Sequence, residues 1–296
     1  MTALVQSYHC LTDALGRILW AMPLTRAPAV TFANGKGGVG KTTICANVAA
    51  LWAAQGRSVL AVDLDAQGNL AAALGLGVVP QSAPPSSQPT GRSGLFYAAW
   101  SLPDPPDAAA EALAAGIGES GCELAVIDTP PSAFSAQTEA ALAASRWLVI
   151  PMRCDSHSID GIATVLSRAI EAGDGRIDPL GVALFSVNPR AVRLVADTRD
   201  DLEQLLGGGV DVLESTIRTA ERAQVDALEA GVLAGEYAAG EYTPDGPGGP
   251  TWRGRLPRRP ARNAGALASD YASLASEIAT AIASRGHHAN ADGTGQ

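Results

Sequence analysis

The chain has 296 residues, of which 47% are hydrophobic, so it can bury one sizeable core within one large domain. Its formal net charge of −9 argues against nucleic-acid binding over the whole surface and leaves room only for a local basic patch. The cysteines are far apart and form no Cys-x-x-Cys pair, which argues against a zinc site or a disulfide framework. We expect Cys10, Cys45, Cys122 and Cys154 to be reduced and buried.

Residues 1–27 form an extension before the first predicted strand. Leucines 11, 15 and 19 have the spacing of one helical face, so the extension is either a docking helix or a dispensable start, since Met22 could itself initiate. It is too short for a helix-turn-helix domain that reads an operator.

The sequence carries no signal for a membrane. No run of about 18 apolar residues occurs, which is the length that a membrane-spanning helix needs. Asp13 and Arg17 interrupt the stretch in which a signal peptide would be uniformly apolar. We therefore expect a cytoplasmic protein without a membrane partner.

From residue 29 onwards, short β-rich runs alternate with helical stretches, which predicts an α/β domain with a mostly parallel sheet covered by helices on both faces. The predicted strands are residues 29–33, 58–63, 124–128, 147–152, 182–187 and 212–215. The predicted helices are residues 42–55, 69–76, 106–115, 137–144, 159–172, 193–206, 220–230 and 264–283. The proline- and serine-rich residues 79–93 are predicted to be a surface loop.

These elements suggest one core domain with appendages. We expect the core over residues 28–239 and a Pro/Gly/Arg-rich insertion over residues 240–262. A C-terminal helix is expected to pack on the core over residues 263–285, followed by a disordered tail over residues 286–296.

A glycine-rich segment lies between the first predicted strand and the first predicted helix. Its sequence, Gly35-Lys36-Gly37-Gly38-Val39-Gly40-Lys41-Thr42, fits the pattern G-x-x-x-x-G-K-[ST]. The glycines let the backbone take up positive φ and direct its N–H groups at phosphate oxygens, while the following helix adds its positive end. We expect Lys41 to reach the β- and γ-phosphates and the Thr42 hydroxyl to bind Mg²⁺.

Lysine is almost absent from the rest of the chain. Of the 21 basic residues only Lys36 and Lys41 are lysines, and both lie in the glycine-rich segment. A coding bias toward arginine explains the scarcity but does not explain the placement. An ammonium fits between phosphate oxygens as a compact point charge, which a planar guanidinium does not.

Two further segments place carboxylates at strand ends, where ligands of open α/β sheets bind. Asp63 and Asp65 follow one predicted strand within Val-Asp-Leu-Asp-Ala-Gln-Gly-Asn, and Asp128 ends another within Val-Ile-Asp-Thr-Pro-Pro. Alone, either segment could be a capped strand end. Together with the phosphate loop, in this chain order, they predict a magnesium-nucleotide site.

These segments resemble the deviant Walker A, switch I and Walker B motifs of the ParA/Soj partitioning ATPases. The matching segments are residues 36–43, residues 63–69 and residues 128–131, and residues 147–161 resemble the strand and helix that line the nucleotide in that family. The resemblance spans about residues 28–235 and the last helix. It implies a single P-loop NTPase domain with ATP and Mg²⁺ as cofactors.

The resemblance also implies a role for each residue of the site. Lys36 crosses a dimer interface, so that ATP is sandwiched between two subunits, and Asp65 orients the attacking water. The implied catalytic residues are Lys36, Lys41 and Asp65, and the implied magnesium residues are Thr42, Asp65 and Asp128. The implied ATP-binding residues are Gly35, Lys36, Gly37, Gly38, Val39, Gly40, Lys41, Thr42, Thr43 and Asn188. Asn188 either contacts adenine or has a structural role in its turn.

A cluster of arginines precedes the last helix, where relatives place DNA-contacting arginines. It consists of Arg253, Arg255, Arg258, Arg259 and Arg262. Such a basic loop pairs with phosphates without reading bases, and the alternative is a solvated flexible loop. Weaker candidates for the same face, each of which could be an ordinary surface charge, are Arg190, Arg193, Arg218 and Arg222.

The sequence thus favours an ATPase with slow turnover to ADP and phosphate that binds non-specific DNA as an ATP dimer on the nucleoid. A ParB-type partner would stimulate hydrolysis and release the dimer, which segregates a plasmid or chromosome. One alternative is a MinD-like positioning ATPase acting on a protein or membrane cargo, which the alanine-rich last helix disfavours. An iron–sulfur carrier is disfavoured because Cys122 precedes the Walker B strand and no cysteine follows Asp128 closely. A nucleotide switch with negligible turnover stays open.

Overall fold

The computed structural model describes residues 27–173, 176–242 and 259–291 of the chain. The extension predicted for residues 1–27 therefore lies, but for its last residue, outside the described residues. The same holds for residues 243–258, which make up most of the predicted insertion.

The described residues form one eight-stranded sheet in the order β3-β4-β2-β5-β1-β6-β7-β8. The strands are β1 (Ala27–Phe32), β2 (Val59–Asp63), β3 (Gln88–Pro89), β4 (Leu95–Ala99), β5 (Leu124–Asp128), β6 (Ser145–Arg153), β7 (Asp178–Val187) and β8 (Val212–Arg218). All neighbouring strands are parallel except β3, which pairs antiparallel with β4. The predicted fold class, a mostly parallel sheet in a single α/β domain, is confirmed.

Helices cover both faces of this sheet. They are α1 (Lys41–Ala54), α2 (Asn69–Ala73), α3 (Pro106–Glu119), α4 (Ala136–Ala144), α5 (Ser156–Gly173), α6 (Val192–Leu206), α7 (Glu221–Ala230), α8 (Ala234–Ala239) and α9 (Ala264–Ala291). Successive residues of β2 point to opposite faces, so Val59 packs with α1 and α9 while Leu60 packs with α3 and α4. Because both faces are buried, the central strands β2 and β5 are apolar up to their final aspartate.

The last helix, α9, is held against α1 on one face of the sheet. The indole N–H of Trp52 donates a buried hydrogen bond of 3.1 Å to the carbonyl of Ala275. Leu267, Leu274 and Ile278 of α9 are buried beside it, and their seven- and four-residue spacing is that of one helical face. Among the helices that the structure describes, none is both long and apolar enough to cross a bilayer.

The structure differs from the predicted elements at three places. Strand β4 and helix α8 were not predicted, since short apolar runs cannot be assigned by periodicity alone. Helix α9 continues to Ala291, into the segment expected to be a disordered tail, because no proline or glycine interrupts it after Gly286. The loop predicted for residues 79–93 contains the short edge strand β3.

Candidate functional site

The carboxyl ends of three neighbouring strands meet at one edge of the sheet. In the register of the sheet, Asp128 at the end of β5 lies opposite Phe32 of β1 on one side and Asp63 of β2 on the other. The glycine-rich segment follows β1 directly, so the sheet itself brings the loop and the strand-end acids together. This edge is where open α/β sheets bind ligands.

The loop between β1 and α1 has the backbone that the glycine pattern predicts. Gly38 has a φ of +73° and Gly40 a φ of +95°, values that residues with a side chain rarely adopt. A Cβ atom on Gly40 would also lie 2.5 Å from the ring of Phe185. Because Gly40 is the N-cap residue of α1, no side chain caps the helix, and its first N–H groups stay available for an anion.

A cavity of about 190 Å³ opens at this loop. It is lined by Gly37, Gly38, Gly40, Lys41, Thr42, Thr43, Asp65, Asn69, Thr129 and Pro131. Predicted phosphate-binding residues and the predicted acid of switch I therefore share one cavity.

Lys41 lies in the wall of the cavity with only 6% of its surface exposed. Its ammonium donates a hydrogen bond of 2.8 Å to the carbonyl of Lys36, across the loop. Burial lowers the pKa of Lys41, and the charges of Asp128 and Asp65 oppose that shift. The Lys41 ammonium is thereby fixed inside the loop, where phosphate oxygens would replace the water molecules that it loses on burial.

Asp128 and Thr42 have the features of a site for a hard divalent cation. The Thr42 hydroxyl donates a hydrogen bond of 2.7 Å to Oδ2 of Asp128. The other oxygen, Oδ1, is buried and has no hydrogen-bond partner among the described residues. Burial raises the pKa of Asp128 to about 8, a shift that the Thr42 hydrogen bond opposes and the nearby Asp63 carboxylate increases. A carboxylate and a hydroxyl with free oxygen lone pairs are the ligands that Mg²⁺ and its water shell accept, so these residues fit the ion.

Asp65 is held by its neighbours on the exposed segment after β2. Its backbone N–H donates a 3.0 Å hydrogen bond to Oδ1 of the buried Asp63, and its own Oδ1 accepts the N–H of Gln67 at 3.0 Å. Asp65 is half-buried and lines the cavity. The segment therefore presents one acid to the phosphate site, while Asp63 stays beneath it.

Lys36 differs from Lys41 in that its side chain has no partner among the residues that the structure describes. No described residue forms a hydrogen bond or ion pair with its ammonium. Its backbone N–H donates to Oδ1 of Asn34 at 3.0 Å, and the Asn34 amide donates to the carbonyl of Pro151 at 2.7 Å. A Cβ atom on Gly161 would lie 3.0 Å from that same Oδ1. Sequence reasoning missed Asn34, whose one signal was its place between the strand end and the loop.

The model of the CobQ/CobB/MinD/ParA nucleotide binding domain family matches residues 30–229, which is more than half of the chain. The chain belongs to this family. The chromosome-partitioning ATPase Soj of Thermus thermophilus is 33% identical over 209 residues, which are 65% of this chain and 83% of Soj. The predicted resemblance to the ParA/Soj ATPases is confirmed.

Two solved structures share the fold of this ParA/MinD-family domain. An ATP complex of a McdA variant from Cyanothece has a TM-score of 0.58 at 20% identity, over 72% of this chain and 91% of McdA. The septum site-determining protein MinD from Pyrococcus horikoshii, complexed with Mg-ADP, has a TM-score of 0.59 at 18% identity, over 84% of this chain and 95% of MinD.

Asn188 lies at the surface of the ParA/MinD-family domain, just after β7. Its Oδ1 accepts the backbone N–H of Arg190 at 3.0 Å, which closes a turn of the kind that Asn favours. This contact supports the structural role, and the adenine contact stays a prediction.

The predicted DNA-binding arginines are only partly described. Arg259 and Arg262 are exposed, and Arg253, Arg255 and Arg258 lie outside the described residues. Arg218 forms a two-pronged pair with Asp270 of α9, at 2.6 and 2.7 Å, which offsets its charge and makes it a weaker candidate for DNA. Its contact with DNA stays a prediction.

The cysteines depart in part from the expectation. Cys45 is buried in α1, whereas Cys122 and Cys154 are only half-buried because they lie in the segments that join α3 to β5 and β6 to α5. All three are free thiols, and Cys10 lies outside the described residues.

Proposed function

We propose that this chain is an ATPase that dimerises around ATP and Mg²⁺, binds non-specific DNA as the dimer and leaves DNA when a partner stimulates hydrolysis. The observation that carries this proposal is the contrast between its two lysines. Lys41 is buried inside its own phosphate cavity, whereas the Lys36 ammonium has no partner among the described residues. A second copy of the chain would supply that partner as the phosphates of its bound ATP.

The residues that line the cavity, together with the buried Asp128, have separate roles in phosphoryl transfer. Lys41 and the N–H groups of the loop would bind the β- and γ-phosphates, and Thr42 and Asp128 would hold Mg²⁺, whose charge would offset the negative charge of the phosphates. Asp65 orients the attacking water. Because no strong general base lies among the cavity-lining residues, catalysis depends on positioning and charge, and we expect slow intrinsic turnover.

The similarity to Soj, whose name describes a chromosome-partitioning ATPase, supports a role in moving DNA cargo. The exposed Arg259 and Arg262, together with the arginines just before them, supply the local basic patch that an acidic chain needs for DNA. We propose a ParB-type protein as the stimulating partner and the nucleoid, in the cytoplasm, as the location.

Light scattering tests the dimer directly. We expect the parent protein to double its mass with ATP and Mg²⁺ but not with ADP, and Lys36→Ala to stay monomeric while it still binds nucleotide. Arg57→Ala is the control, because it also removes one cation but lies beside the start of β2, at the opposite edge of the sheet. A parent that stays monomeric with ATP, or a Lys36→Ala variant that dimerises like the parent, would overturn the proposal.

Retention on a DNA column of arbitrary sequence tests the second step. We expect retention to require ATP and to fall steeply with salt, because phosphate contacts release counterions. The double variant Arg259→Ala, Arg262→Ala should elute at lower salt. Retention that is indifferent to nucleotide would count against DNA binding by the dimer, and ATP-dependent capture by anionic vesicles would favour a membrane cargo.

A further inference from the structure

A buried tyrosine touches the acid that lies beneath the switch I segment. The Tyr97 hydroxyl donates a hydrogen bond of 3.1 Å to Oδ2 of Asp63, and neither residue is exposed to solvent. The other oxygen of Asp63 accepts the backbone N–H of Asp65 at 3.0 Å. The Asp63 carboxylate is thus held by Tyr97 and by Asp65, with the backbone N–H of Leu70 as a further partner.

The sheet register explains how Tyr97 reaches this acid. Strand β4 pairs in parallel with β2, with Tyr97 opposite Ala61 and Ala99 opposite Asp63. Since side chains two residues apart on a strand share a face, Tyr97 points to the same face as Asp63 and spans the diagonal between them. The contact depends on the strand that the sequence did not reveal.

The segment after β2 has few other anchors. Ala66, Gln67 and Asn69 are exposed, and the hydrogen bonds within residues 65–68 are local to the turn. Leu64 is fixed through its N–H to the carbonyl of Asp128 at 3.1 Å. The next anchor along the chain is the bond from Asp65 to Asp63. The direction of the Asp65 backbone therefore depends on how the Asp63 carboxylate is turned.

We propose that Tyr97 and Asp63 are positioning residues for ATP hydrolysis. Tyr97 fixes the rotation of the Asp63 carboxylate, and Asp63 fixes the backbone of Asp65, so that the Asp65 carboxylate faces the phosphate cavity. Tyr97 does not line that cavity and reaches the site only through its hydrogen bond to Asp63, so we expect loss of its hydroxyl to change turnover and to leave nucleotide binding intact. This inference rests on the proposed function and deepens it, since it assigns two residues that act through the water-orienting acid.

The matched pair of variants is Tyr97→Phe and Tyr237→Phe. Tyr237 is also buried, and its hydroxyl donates to the buried Asp226 at 2.8 Å, away from the phosphate cavity. Both variants lose one hydroxyl that donates to a carboxylate. The Tyr237 hydroxyl also accepts the N–H of Ala261 at 3.1 Å, so Tyr237→Phe should lose at least as much stability as Tyr97→Phe. We expect Tyr97→Phe to lower kcat by about 3- to 10-fold at unchanged KM and unchanged affinity for an ATP analogue, as one lost hydrogen bond predicts. Tyr237→Phe should keep the parent's kcat.

The decisive experiment makes the Tyr97→Phe substitution in a protein that already carries Asp65→Ala. If Tyr97 acts through Asp65, the second substitution changes the residual kcat no further. An equal loss of kcat in both backgrounds, or equal losses in Tyr97→Phe and Tyr237→Phe, would overturn the positioning role. A parent without turnover would overturn the proposed function as well, whereas an active parent with an unaffected Tyr97→Phe would overturn this inference alone.

Discussion

The hydroxyl of Thr42 donates a hydrogen bond of 2.7 Å to Oδ2 of Asp128 and so joins the first turn of α1 to the end of β5. Oδ1 of the same carboxylate is buried without a hydrogen-bond partner among the described residues. A buried, half-satisfied carboxylate is costly unless a ligand completes it. The geometry of the Thr42–Asp128 pair therefore fits a bound cation.

Replacing Asp128 by Asn should raise the Mg²⁺ concentration needed for half-maximal nucleotide binding by about 10- to 100-fold, because the amide keeps the shape but loses the charge. Titration of Mg²⁺ against a fluorescent ATP analogue measures this shift. Asp226→Asn changes another buried carboxylate and should leave the Mg²⁺ requirement alone. An unchanged requirement in Asp128→Asn would show that the ion is held elsewhere.

Two glycines of the loop should tolerate alanine to different degrees. A Cβ atom on Gly38 would have nothing within 4 Å. Gly38→Ala should therefore lower the free energy of unfolding only by the strain of a left-handed backbone, about 1–2 kcal/mol. Gly40→Ala has the same cost plus a clash with the Phe185 ring, so we expect it to lose more stability and more nucleotide affinity. Denaturant unfolding and analogue binding measure both effects.

The clash can be tested separately from the backbone. Phe185→Ala in the Gly40→Ala background should recover part of the nucleotide affinity, because it removes the ring that the new Cβ atom would meet. If Gly38→Ala and Gly40→Ala are equally impaired, the ring does not restrict the loop.

Gly161→Ala should weaken ATP-driven dimerisation although alanine normally stabilises a helix. Its Cβ atom would lie 3.0 Å from Oδ1 of Asn34, the acceptor that holds the backbone of Lys36. Gly265→Ala in α9 meets nothing within 4 Å and should be stabilising by about 0.5–1 kcal/mol, with dimerisation unchanged. Sedimentation with ATP distinguishes the two variants. Normal dimerisation of Gly161→Ala would show that the contact between Asn34 and Lys36 is not needed for the dimer.

The pair of Arg92 and Glu236 should make stability depend on pH. Arg92 donates two hydrogen bonds to the Glu236 carboxylate, at 2.6 and 2.7 Å, and a third to the carbonyl of Leu74 at 2.8 Å. Burial raises the pKa of Glu236, but the hydrogen bonds from Arg92 and from the N–H of Leu233 lower it more, so that it lies below its ordinary value of 4.5. The ionised form is therefore the one that the fold stabilises.

A carboxylate with a lowered pKa contributes its full stability above the unfolded value and loses it as the pH falls through the folded value. Arg92→Ala should cost about 1–2 kcal/mol at neutral pH, and the difference from the parent should shrink below pH 4.5. Arg193→Ala, which removes an exposed pair with Asp197, should cost less and show no such trend. Denaturant unfolding at several pH values measures these free energies. A difference between the parent and Arg92→Ala that stays constant below pH 4.5 would contradict the prediction.

Local patterns were sufficient to predict most of the phosphate site. Gly40, Lys41 and Thr42 are neighbours in the chain, and a strand before them and a helix after them fix their geometry within a few residues. Asp65 follows β2 and Asp128 ends β5, and both strands are apolar up to their last residue, so the place of these acids at the sheet edge could be predicted from the sequence as well.

The sequence by itself thus determined the fold class and which residues form the proposed phosphate site, because turn geometry and strand ends are short-range properties. Only the tertiary structure decided that Tyr97 meets Asp63 and that Asn34, which holds the backbone of Lys36, packs against Gly161. These contacts join residues far apart in the chain, and they depend on strand order and register. Neither is encoded in the periodicity of any one segment, since each arises from how the whole sheet buries its apolar faces.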